Sequence, residues 1–102
     1  MNKKIRILGK DLDLIFSQNL GKDSSKAGLY NGIDMIMKID STANRQRQEA
    51  TLFHEILEAI NYELELNMEH PLISKLETAI YAVLKDNKLI NFNSLLPREI
   101  QD

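Results

Sequence analysis

An α+β fold, a small antiparallel sheet of three or four strands followed by two packed helices, is predicted by a change of period along this sequence. Apolar residues recur at every second position over the first forty residues, as on a pleated strand, and at helical spacing after Asp40. The length, 102 residues, suits one domain with one modest core. The expected organisation is a single domain: strand-rich over 1–40, two helices over 41–87 and a tail over 88–102.

Ile5 and Ile7, then Leu12, Leu14 and Phe16, can each line one face of a strand, and Gly9-Lys10 between the two runs is short enough for a hairpin. Lys3, Lys4 and Arg6 read as solvent-facing charges that discourage pairing at a sheet edge. The polar stretch from Ser24 to Lys26 reads as loop. Asn31-Gly32 is the pair best suited to a type I′ turn between antiparallel strands. In the strand after it, Ile33, Met35, Met37 and Ile39 share one face and Asp34, Ile36, Lys38 and Asp40 the other, which describes packing on a core from one side.

Beyond Asp40 the spacing of Phe53, Ile56, Leu57, Ile60 and Leu64 marks one face of a helix. Asp40, Ser41 or Thr42 can cap it, and it should run to about Leu66, with Asn67 as its stop. Pro71 favours the first position of a second helix, which would place His70 at the N-cap. Leu72, Ile73, Leu76, Ile80 and Val83 supply its expected buried stripe, and Asp86-Asn87 its end. The tail, with Leu89, Ile90, Phe92, Leu95 and Leu96, is apolar enough to pack back on the domain.

Composition removes several classes of function. With no cysteine there is neither a disulfide framework nor a thiolate ligand, so any metal must sit on His, Asp or Glu. Lys and Arg are scattered among Asp and Glu and the net charge is −2, a surface that offers nucleic acid little. No apolar run is long enough to cross a bilayer. The expectations are a cytoplasmic location and neither a nucleic acid nor a membrane as partner. Gly9, Gly21, Gly28 and Gly32 make no phosphate-binding loop, and no serine stands at a telling distance from a histidine. Tyr62 and Tyr81 read as helix residues with an apolar body and a wet hydroxyl.

The chemistry concentrates in His54-Glu55-Ile56-Leu57-Glu58. His54 and Glu58 are four apart, so on a helix they project from one face and can share a cation. Glu55 projects elsewhere, as does the general base of a His-Glu-x-x-His helix, which activates the attacking water. The only other histidine, His70, opens the second helix. Because that start lies about three helical turns from His54, Glu77, two turns further along the second helix, is the geometrically favoured third ligand, with His70 as the other candidate.

Thr51-Leu52-Phe53-His54-Glu55-Ile56-Leu57-Glu58-Ala59-Ile60, followed by His70-Pro71-Leu72-Ile73-Ser74-Lys75-Leu76-Glu77 and Tyr81-Ala82-Val83-Leu84-Lys85-Asp86-Asn87, resembles a group of small phage and prophage proteins that look like minimal zincins. The resemblance covers the second half well and the first half only in its order of strands and then helices. It implies a zincin-like fold and a divalent-metal site more strongly than it implies a reaction. Glu58 departs from the protease pattern, in which a histidine stands there. Two histidines with one carboxylate are nevertheless a catalytic zinc set, and the added negative charge tilts selectivity from Zn²⁺ toward Mn²⁺ or Fe²⁺.

Two functions are therefore in view. One is a peptidase-like metal-dependent hydrolase with His54, Glu58 and His70 or Glu77 as ligands and Glu55 as base. The other, which the missing second histidine of the motif favours, is a phage accessory protein, with or without metal, that acts by binding a host or phage protein.

Overall fold

The computed structural model of the chain describes residues 3–18, 20 and 28–96. The loop expected around Ser24 to Lys26 lies outside the described residues. Among the described residues four strands, β1 (Lys3–Ile7), β2 (Lys10–Ser17), β3 (Gly28–Asn31) and β4 (Ile36–Asp40), precede two long helices, α1 (Arg45–Leu64) and α2 (His70–Asp86), and a 3₁₀ turn at Phe92–Ser94. The α+β class holds.

The sheet order is β1-β2-β4-β3. β1 pairs antiparallel with β2, and β3 antiparallel with β4, but β2 and β4 run parallel, with Leu14 opposite Met37 and Phe16 opposite Ile39. The sheet is thus mixed, not wholly antiparallel. Alternation within a strand sets which face is buried, but it does not say where a hairpin docks. Here β4, whose Met37 and Ile39 are fully buried, takes the inner position, and the short, glycine-bearing β3 becomes the edge.

Ile5, Ile7, Leu12, Leu14, Met37 and Ile39 form one buried face, as their spacing predicts. Lys4 and Arg6 point to the opposite, solvated face and pair across the strands with Asp13 and Asp11. The β1–β2 turn is made by Leu8 and Gly9, both at positive φ, the requirement of a type I′ turn. The β3–β4 connection corrects the expectation for Asn31-Gly32. Asn31 is the last residue of β3, and its side-chain oxygen accepts from the backbone N–H groups of Ile33 and Asp34. Positive φ falls on Met35 instead. This Asx turn delays the next strand to Ile36 and leaves Ile33 87% exposed, outside the core face assigned to it.

α1 is capped by Asn44, whose side chain accepts from the Arg47 N–H, not by Asp40, Ser41 or Thr42. Asp40 is buried at the end of β4 and accepts from the Thr42 N–H and hydroxyl. The helix ends at Leu64, with Glu65 in the left-handed region. Its most buried stripe is Gln48, Leu52, Glu55 and Ala59. Of the expected apolar face, Ile56 and Ile60 pack against the core while half-buried, Phe53 and Leu57 are half-buried and Leu64 is exposed, so the face is only partly turned to the core. On α2 only Ile73 is fully buried, while Leu72, Ile80 and Val83 are exposed. α2 packs on α1, so one narrow stripe suffices to seat it. The N-cap of α2 is Glu69, and His70 is its first residue. In the tail, Phe92 and Leu96 are buried in the same core cluster as the sheet residues and Leu52.

Candidate functional site

The connection between the helices decides the site. After Leu64 the chain does not lead straight into α2: Glu65 and Asn67 both take positive φ. The Asn61 side chain clamps the returning strand of this loop. Its amide nitrogen donates to the Met68 carbonyl at 3.2 Å, and its oxygen accepts from the Met68 N–H at 2.9 Å. Residues 65–69 thereby run back along α1, and α2 begins beside Glu58 instead of beyond the helix end.

His70 consequently joins the group from which the spacing argument tended to exclude it. The Glu58 carboxylate oxygen Oε2 stands 3.7 Å from His54 Nε2 and 3.7 Å from His70 Nδ1. The ligand atoms of the three residues lie within 4.8 Å of one another, and the two imidazole rings meet edge to face at 5.0 Å. A tetrahedral zinc with bonds of about 2.0–2.1 Å separates its ligands by roughly 3.3 Å. Side-chain adjustments of a few tenths of an ångström bring Glu58 to that spacing from both histidines. His54, Glu58 and His70 can hold a metal ion.

Glu77 has a different place from the one its level along α2 suggests. Its Oε1 is 3.0 Å from His54 Nδ1, the nitrogen turned away from Glu58. A carboxylate there can accept a hydrogen bond from an Nδ1–H, the tautomer whose Nε2 lone pair is open to a cation and the usual partnership of a metal-binding histidine. Both groups are mostly shielded, with 16% and 19% of their side-chain surfaces exposed, whereas His70 is open to solvent.

Glu55 lies in the same cleft and is buried against the sheet. Its place depends on Gly28. A Cβ built at residue 28 would stand 2.5 Å from Thr51 Cγ2 and 3.1 Å from both Cγ and Oε2 of Glu55. Only glycine lets β3 approach α1 this closely. A second close approach lies one turn of sheet further on, where Gly32 faces the Tyr62 ring. Tyr30 donates to Glu63 at 3.0 Å, and burial, then that hydrogen bond, pushes its hydroxyl up to about 12. Glu63 also pairs with Lys10, and the Tyr30 and Tyr62 rings meet edge to face.

These contacts lay β3 alongside α1, so that edge strand and helix line the cleft together with His70, Ser74 and Glu77 of α2. Among the described residues β3 pairs with β4 alone, and its Gly28, Leu29 and Tyr30 line the cleft. Sequence reasoning missed Asn61, Gly28 and this edge. The one available signal was Asn61 itself, a polar residue beside the apolar stripe of a helix.

The clamp yields a direct expectation. Asn61→Ala removes two hydrogen bonds to one residue, which should lower stability by about 1–3 kcal/mol and loosen the position of His70. Zinc affinity should fall while the His54–Glu77 contact persists, measured by calorimetric titration beside a thermal melt. An unchanged affinity would show that His70 does not depend on the clamp.

No protein-family model, curated protein or solved structure matches this chain.

Proposed function

We propose that this protein is a divalent-metal-dependent hydrolase of extended peptides, with His54, Glu58 and His70 as metal ligands and Glu55 as general base. The observation that carries the reading is the meeting of His54 Nε2, Glu58 Oε2 and His70 Nδ1 while Glu77 occupies the other nitrogen of His54. Two histidines and one carboxylate make a zinc set with room for substrate, and Mn²⁺ or Fe²⁺ are the alternatives that the carboxylate allows. A cation held there supplies Lewis acidity, polarising a carbonyl and easing deprotonation of water.

The remaining work falls to the chain's own groups. Glu55, next to His54 on α1 and in the same cleft, takes a proton from water as the water oxygen bonds to the carbonyl carbon. It returns that proton to the amine as the C–N bond breaks. The outer edge of β3 offers backbone donors and acceptors to an extended segment, which holds it along the cleft. Glu77 keeps the His54 ring in one orientation throughout.

A second reading, protein binding by a phage accessory protein in the host cytoplasm, is favoured by Leu72, Ile80 and Val83, which are exposed on α2. The two readings separate on Glu55→Gln. With zinc loaded, cleavage of a mixed peptide library should fall by about 10²–10⁴-fold, while zinc content stays at the wild-type value. A protein that carries zinc but cleaves nothing in either form would sink the hydrolase reading and leave the binding one.

A further inference from the structure

We infer that Arg47 is a specificity-determining residue that selects peptides with a carboxylate about three residues to the C-terminal side of the cleaved bond. This rests on the hydrolase reading above and adds the substrate class. The cleft is lined by five glutamates, Glu55, Glu58, Glu63, Glu65 and Glu77, and by one cation among the described residues, Arg47. Glu55 and Glu58 serve the reaction, Glu77 holds His54, and Glu63 is bound by Lys10 and Tyr30. Arg47 is exposed and, among the described residues, makes no side-chain hydrogen bond or ion pair, unlike Arg45 two residues before it. A guanidinium left unpaired in a wall otherwise acidic is available to a carboxylate from outside, which it can grip with two parallel bonds.

Position along the cleft fixes the distance and the direction. Arg47 precedes His54 by seven residues, about 10 Å along a helix axis, which an extended peptide covers in about three residues. β3 runs in the same sense as α1, since Gly28 faces Thr51 and Glu55 while Gly32 faces Tyr62. A peptide joining the edge antiparallel, the slightly more stable pairing, runs the other way. Its C-terminal part then travels from His54, which is level with Gly28, on past that glycine toward Arg47. The carboxylate that meets Arg47 is an acidic side chain, or the chain terminus itself, downstream of the cleaved bond.

The test uses the full chain loaded with zinc, with two readouts. Cleavage sites mapped in a mixed peptide library should be enriched in Asp or Glu at the third residue after the cut, and Arg47→Glu should replace that preference by Lys or Arg. For binding, fluorescein-labelled alanine-based decapeptides carrying one Glu or one Lys near the C-terminus are titrated against Glu55→Gln. The Glu peptide should bind about 10-fold more tightly than the Lys peptide, and Arg47→Glu in the same background should reverse the order. Equal affinities, an order that Arg47→Glu leaves unchanged, no binding at all, or a preference on the N-terminal side of the cut would overturn the assignment. Failure of the hydrolase reading looks different: no library peptide is cleaved, whatever the binding order.

Discussion

His54→Ala is expected to lower zinc affinity by more than about 100-fold and to remove the stabilisation that zinc gives the folded chain. His54 is the hub of the group. It faces Glu58 and His70 on its Nε2 side and Glu77 on its Nδ1 side, so its loss deletes a ligand and strands the carboxylate that oriented it. Loss of an orienting partner alone costs roughly 10–100-fold in affinity, which sets the expectation for Glu77→Gln. Losing the ligand must cost more. At free zinc 100 times its dissociation constant, a site present only in the folded state adds about 2.7 kcal/mol of stability. For a chain of this size that raises Tm by roughly 10–20 °C. Wild type should show that rise on adding zinc, Glu77→Gln a smaller one at the same concentration, and His54→Ala none. The metal-free melt of His54→Ala should fall modestly, because Glu77 loses its partner, so the comparison is of the rise that zinc adds to each protein. An equal rise in wild type and His54→Ala would show that zinc binds elsewhere.

The same two helices explain which features were legible in the sequence. Period-two alternation marked Ile5, Ile7, Leu12, Leu14, Met37 and Ile39 correctly, because a sheet covered on one face imposes that pattern directly. His54 and Glu58 were legible as a pair, because four residues along a helix is a local distance. The failures all concern relations between elements. The parallel β2–β4 pair depends on where a hairpin docks, and the place of His70 depends on how residues 65–69 turn back along α1. Counting turns along two ideal helices put His70 too far away and Glu77 at the ligand position. The Asn61 clamp shortens the connection, so His70 stands within 3.7 Å of Glu58 and Glu77 meets the other nitrogen of His54. Glu55 was legible as a motif residue but not as a buried one. Its burial comes from Gly28, which lies in another element and carries no periodic signal.

The other large effect is expected at Glu49, whose replacement by Gln should cost about 3 kcal/mol, the lower end for breaking a buried ion pair, and lower Tm by roughly 15 °C. Glu49 is buried on α1, and both its oxygens accept hydrogen bonds. Oε1 accepts from the Tyr81 hydroxyl and from Lys85 Nζ, both at 2.8 Å, and Oε2 accepts from Arg45 Nε at 3.2 Å. Arg45 in turn donates to Asn93 in the 3₁₀ turn at 2.6 Å. One carboxylate therefore ties the start of α1 to the end of α2 and, through Arg45, to the tail. Gln keeps one acceptor but presents an NH₂ group to a donor, so at least one bond becomes a clash of donors. The charge also gives the effect a pH signature. Burial pushes the Glu49 carboxyl up, but hydrogen bonds from Lys85, Tyr81 and Arg45 together outweigh it and hold it below its ordinary 4.5. A carboxyl lowered by folding contributes stability that is complete above its unfolded value and is lost as pH falls through the folded one. The gap between wild type and Glu49→Gln should thus be constant from pH 7 to about 5 and close at more acid pH. At the alkaline end, burial and then the bond to Glu49 push Tyr81 up to about 12. That contribution is complete below pH 10 and disappears as pH rises through about 12. Urea titrations of wild type, Glu49→Gln and Tyr81→Phe across this range test both limbs. A gap between wild type and Glu49→Gln that persists unchanged well below pH 4 would mean that Glu49 acts through packing and not through its charge.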